Sequence, residues 1–95
     1  MDNHSSLPER LARLMGQVVV VDVASRFVYL GTLAAGDVTF LELTEADVHD
    51  LRDTTTTREE YVLAAGRHGV APNRRRVFVS FSEVVSVSAL DDVIR

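Results

Sequence analysis

The chain contains no cysteine, which excludes a disulfide framework and a thiolate metal site and leaves the redox compartment unspecified. It contains no lysine either, so all 10 of its basic residues are arginine. Against 14 acidic residues these leave a formal charge of −4, whereas avid non-specific binding to nucleic acid rests on clustered cations that neutralise phosphate. No apolar run approaches the ~20 residues of a membrane span. The opening MDNHSSLPER lacks the basic region and apolar core of an export signal. A cytoplasmic protein is expected, without membrane contact and without a DNA-binding signature. The Ser, His and Asp residues stand in no nucleophile-elbow or comparable context, so the reading is of a non-enzyme with no cofactor. With 95 residues there is room for one domain, and at that size only about 60–65% of the unfolded chain's surface is buried. A partner subunit would add to such a core.

What the chain does have is β-structure. From Gly16 to Leu43, GQVVVVDVASRFVYLGTLAAGDVTFLEL, three strand-like runs follow one another with barely room to turn. Gln17–Val23 is dominated by β-branched residues, whose stiff side chains favour a pleated backbone. Apolar residues at both parities there mean that both faces are covered. After a tight connection at Ala24-Ser25 comes Arg26–Leu33, with Gly31 inside it, a residue that marks a bend or a close backbone approach. Ala34–Asp37 reads as a turn with Asp37 as its former, and Val38–Thr44 as a third strand. Near the C-terminus Val77, Val79 and Phe81 share one face of a fourth strand, and Val85 and Val87 one face of a fifth. LDDVIR closes the chain as a short tail.

Two helices flank these runs. Residues 6–15 carry a capping box in Ser6 and Glu9, a terminating Gly16, and an apolar face of Leu7, Leu11, Leu14 and Met15. That helix is too short to persist unless the face lies on the sheet. A second capping box, Thr57 with Glu60, opens a helix over Arg58–His68, the rival reading being a long hairpin strand with charged tips. Tyr61, Val62 and Ala65 give this helix a narrow apolar stripe, expected to pack on the barrel's own open end or on a neighbouring subunit. Asp47–Thr56 reads as a variable acidic and threonine-rich loop leading into it.

The order helix, three linked strands, interruption, two strands resembles the Sm and Sm-like family. Gly16, Val18, Val20, Gly31, Leu33, Asp37 and Phe40 stand where that family's first motif has its glycines, alternating valines, leucine, aspartate and apolar residue. VFVSFSEVVSV, Val77–Val87, resembles the second motif. The resemblance implies a mainly β fold: a small, strongly bent five-stranded barrel of SH3 type with an N-terminal helix and a helical insertion between strands three and four. It also implies a homo-oligomeric ring of about five to seven subunits, strand four of one pairing with strand five of the next. Val77, Val79, Phe81, Val85, Val87 and Tyr61 are then candidate interface residues. The family holds uridine with an asparagine of the first motif, an aromatic or histidine before it, and an arginine-glycine pair of the second. Those positions are Leu41, Thr39 and Ser80-Phe81 here, residues that neither read a base edge nor stack on one. The tyrosine-lysine-histidine signature of the bacterial host-factor RNA chaperone is also missing.

Two clusters remain. Asp47, His49 and Asp50, with Asp53 nearby, are residue types that hold divalent metals, but consecutive loop residues converge poorly, so a solvated loop and no metal is expected. Arg74, Arg75 and Arg76, with Arg58 and Arg67 before them, form the candidate binding patch: forked guanidiniums suit phosphate, and RNA is the ligand they would take. The competing reading pairs them with Glu59, Glu60 or a neighbour's acidic loop.

Overall fold

The computed structural model describes residues 7–53 and 56–94. Five antiparallel strands form one sheet in the order β4-β3-β2-β1-β5: β1 Val18–Val23, β2 Phe27–Gly36, β3 Phe40–Asp50, β4 Arg74–Ser80 and β5 Val84–Ala89. Helix α1 spans Glu9–Ala12, and α2, Arg58–His68, is inserted between β3 and β4. The expected mainly β architecture is the one present.

Side chains from all five strands meet in one cluster: Val19, Val21 and Val23 of β1, Leu33 of β2, Leu41, Leu43 and Ala46 of β3, Val79 of β4, with Val84 and Val87 of β5 packed against it. A flat sheet cannot bring its two edge strands to one core, so the sheet is curled around this interior. Leu7, Leu11 and Leu14 pack onto the same cluster. The opposite parity of β1 and β2 supplies Val20, Val28 and Leu30 to a second cluster completed by Val62, Ala65 and Leu90. Both faces of β1 are therefore covered, one by the curl of the sheet and the other by α2.

The curl is made at Gly31. The β2–β3 register slips between Leu30 and Thr32, where β3 carries the additional residue Glu45, held at a left-handed φ of 47°. A Cβ on Gly31 would stand 3.0 Å from Cα of Ala46 and 3.1 Å from the carbonyl oxygen of Thr44. Only glycine lets the strands approach that closely.

Four boundaries differ from the sequence reading. Helix α1 is one turn rather than residues 6–15, because Pro8 is extended at φ −51°, ψ 144°. After Ala12 the chain continues in tighter turns, with Leu14 N donating to Leu11 O at 2.9 Å and Met15 N to Ala12 O at 3.1 Å. The expected Ser6 cap lies outside the described residues. Strand β2 runs on to Gly36, moving the turn to residues 37–39. Strand β3 continues through Asp50, with Asp47–Asp50 paired to Phe27–Leu30, so that the first four residues of the expected acidic loop are strand. Phe81 falls in a 3-10 turn, Phe81–Glu83, rather than in β4.

Candidate functional site

Strands β4 and β5 are the two ends of the sheet, and each pairs on one side only, β4 with β3 and β5 with β1. Three residues, Phe81–Glu83, connect them. Beside the β5 edge runs a groove of about 390 Å³ lined by Leu11 and Leu14 of the α1 segment and by Phe81, Val84, Val85 and Val87. Of the candidate interface residues, Val77, Phe81 and Val87 are half-buried against the core and Val79 is buried. Val85 does not share the face of Val87: the β1–β5 register slips at Asp22/Val23, and Val85 stands 69% exposed. A second apolar pocket, about 360 Å³, lies on the outer face of the sheet between Met15, Phe40 and Phe78, with Asp37 and Glu42 among its lining residues.

The three consecutive arginines are in β4 itself. Arg76 pairs with Thr44 and Arg74 with Ala46, and Arg74 and Arg75 line one pocket with Glu45, Pro72 and Asn73. Arg76 is ion-paired with Glu42 at 2.8 Å. Arg74 donates to the carbonyl of Asn73 at 3.0 Å, and among the described residues neither Arg74 nor Arg75 has a carboxylate partner. Glu59 and Glu60 therefore do not hold them. Arg58 is turned elsewhere, donating to Asp22 Oδ1 at 2.9 Å and to the Ser25 carbonyl at 3.3 Å, while Ser86 of β5 donates to the other oxygen of Asp22 at 3.1 Å. This network ties the start of α2 to β1 and to the free strand β5.

Thr39, Leu41, Ser80 and Phe81 converge at one end of the β3–β4 pair. Phe40 pairs with Ser80 and Leu41 with Val79, and Phe81 N donates to the Thr39 carbonyl at 2.9 Å. Asp37 forms the turn that presents them, its Oδ1 accepting from Thr39 N at 2.7 Å and Phe40 N at 2.9 Å. Those amides, Phe40's first, hold the Asp37 carboxyl below its ordinary range. Leu41 is wholly buried, and the Ser80 hydroxyl lies 3.0 Å from that of Ser82.

The acidic stretch is organised around α2. The Tyr61 ring stacks on His49 of β3, centroids 4.0 Å apart and planes 11° from parallel, and its hydroxyl donates to Asp47. Burial, then that bond, pushes the phenol's pKa well above its usual range. Asn73 completes the cluster, donating to Asp47 Oδ1 at 3.1 Å and accepting from Val48 N at 3.0 Å. His49 Nε2 is buried without a hydrogen-bond partner among the described residues. Tyr61 is thus engaged within its own chain, the intramolecular one of the two roles its stripe suggested. Asp50 receives Arg52 and Arg26, and the Arg52 bond foremost holds its carboxyl down at about 2. No group of three or more metal-ligating side chains occurs among the described residues. The stacking of the half-buried His49 on Tyr61 and the Asp22–Arg58–Ser86 network were not foreseen from sequence; the partners are remote in the chain and carry no spacing signal.

No protein-family model matches the chain, and no curated protein matches it in sequence. Among solved structures it is similar to an Sm protein of Pyrococcus abyssii in complex with a uridine heptamer, with a TM-score of 0.59 over 85% of this chain and 93% of that one at 14% identity. At that identity the likeness concerns the fold alone, and the fold of this chain is Sm-like.

Proposed function

We propose that the chain is a single Sm-like domain that assembles into a closed homo-oligomeric ring and serves as a scaffold, the free edge of β4 in one copy pairing with the free edge of β5 in the next. The observation that carries this reading is the pair of unpartnered, valine-rich edges at the two ends of one curled sheet. Such edges are templates for another strand, and because they differ from each other the contact is head to tail, which closes into a ring when the rotation fits. The groove beside β5 gives the incoming strand an apolar floor, and each valine or phenylalanine buried there contributes about 1.5–3 kcal/mol. By the family's pattern the ring has about five to seven copies. Size-exclusion chromatography with light scattering tests it: a stable monomer at micromolar concentration removes the idea.

A second reading has a specific observation behind it. Arg74 and Arg75 are exposed cations without carboxylate partners in their own chain, and repeated around a ring they would present a basic rim to RNA in place of the uridine pocket, whose positions hold Leu41, Thr39, Ser80 and Phe81. Binding of that kind is steep in salt and weakly selective, with a slope that falls by about one for each phosphate that Arg74→Ala or Arg75→Ala leaves unneutralised. Titrating a labelled oligouridine and a mixed oligonucleotide at low salt decides it; if neither binds, the scaffold reading stands alone.

A further inference from the structure

Resting on the ring reading, we infer that Arg74 and Arg75 of one copy are held by Asp91 and Asp92 of the next, so that charge selects the register of the contact between copies. Four observations meet here. Strand β4 begins at the arginines and is seven residues long, and β5 is six, so the two edges match in length. Strand β5 runs out of Ala89 directly into the turn Leu90–Asp92. Asp91 and Asp92 are exposed and have no partner within the described residues. Arg75 is in the same condition and Arg74 has only the Asn73 carbonyl. Arg10 and Arg67 also lack carboxylates among the described residues, whereas Arg26, Arg52 and Arg76 are committed to Asp50 and Glu42.

Antiparallel pairing of the two edges sets the first residues of β4 opposite the last residues of β5. Asp91 and Asp92 then lie two or three residues further along in the 3-10 turn, about 4–6 Å at that helix's rise, within the combined reach of an arginine and an aspartate. Arg74 and Arg75 line one pocket with Pro72 and Asn73, so both stand at the end of β4 that meets the aspartate turn. Parallel pairing would bring the arginines instead to the Val84 end of β5, where Glu83 is the single carboxylate. Opposite charges placed at matching ends of two edges fix direction and register and exclude the wrong alignment.

The test is charge reversal with restoration. Arg74→Glu/Arg75→Glu and Asp91→Arg/Asp92→Arg are prepared in the full chain, with circular dichroism melts to establish that each folds, and masses are measured by light scattering. The wild-type chain is expected to be oligomeric, each reversed variant to lose the oligomer at the same concentration, and an equimolar mixture of the two to reassemble into species of even copy number, since only alternating copies then pair opposite charges at every contact. If the wild type is oligomeric and the folded variants keep its mass, this contact is wrong while the ring stands. If Glu83→Arg disperses the oligomer and Asp91→Arg/Asp92→Arg does not, the strands run parallel and the inference is overturned. If Arg74→Glu/Arg75→Glu keeps the oligomer but no longer binds an oligonucleotide that the wild type binds, the arginines serve RNA instead. A monomeric wild type overturns both the ring and this contact.

Discussion

Tyr61 shows how much of this small domain turns on one side chain. Its ring covers His49, its hydroxyl satisfies Asp47, and through Asp47 and Asn73 it joins α2 to β3 and to the entry of β4. Tyr61→Ala removes the stack and leaves a cavity under α2, so the unfolding free energy in urea should fall by about 2–4 kcal/mol. Tyr61→Phe keeps the ring and removes only the hydrogen bond, a cost of about 1 kcal/mol. The raised pKa of the folded phenol also fixes a pH dependence. The stability it contributes is complete below the unfolded value, about 10, and is lost as pH rises through the folded value. Denaturation at about pH 8 and about pH 11 should accordingly show a smaller alkaline loss in Tyr61→Phe than in the wild type, and equal losses would mean that the phenol is not the group responsible.

Among the elements, the β2–β3 pair sets the shape of the molecule and α2 finishes it. Gly31→Ala forces a Cβ onto the backbone of Ala46 and Thr44, and such overpacking should cost about 1–3 kcal/mol in thermal melts. Helix α2 opens with a complete capping box, Glu60 N donating to Thr57 Oγ1 at 3.1 Å and Thr57 N to Glu60 Oε1 at 2.9 Å. Thr57→Ala should lower stability by about 1 kcal/mol, and a cost near zero in the same melts would show that α2 is held by Arg58 and Tyr61 alone. These features were legible in the sequence because they are local: Thr57 with Glu60, Gly31 in a β-branched run, and alternating valines each carry their meaning within a few residues. The far half of β3 was not legible. Glu45 is the bulged residue, and past it the inward parity changes from Leu41 and Leu43 to Ala46, which breaks the alternation just where Asp47, His49 and Asp50 make the strand polar. What Asp47 and His49 face is Tyr61 of α2, which period-two reading of β3 cannot see. The short α1 was misread for the opposite reason, since its capping pattern resembled a good start while Pro8 held the backbone extended.

For the whole molecule, the curled sheet is complete in its core and unfinished at its two edges, and the outer face of its β1 side is sealed by α2 while the β4–β5 opening is not. Thr39, Leu41, Ser80 and Phe81 are brought together by the Asp37 turn and the β3–β4 pairing, and Leu41 among them is wholly buried. The unpaired edges of β4 and β5 are what the proposed assembly rests on. The measurement that tests this most directly is the absolute mass of the purified full chain by light scattering across micromolar concentrations. The account predicts one discrete species at an integral multiple of the 10.5 kDa chain, and a particle of 10.5 kDa throughout would contradict it.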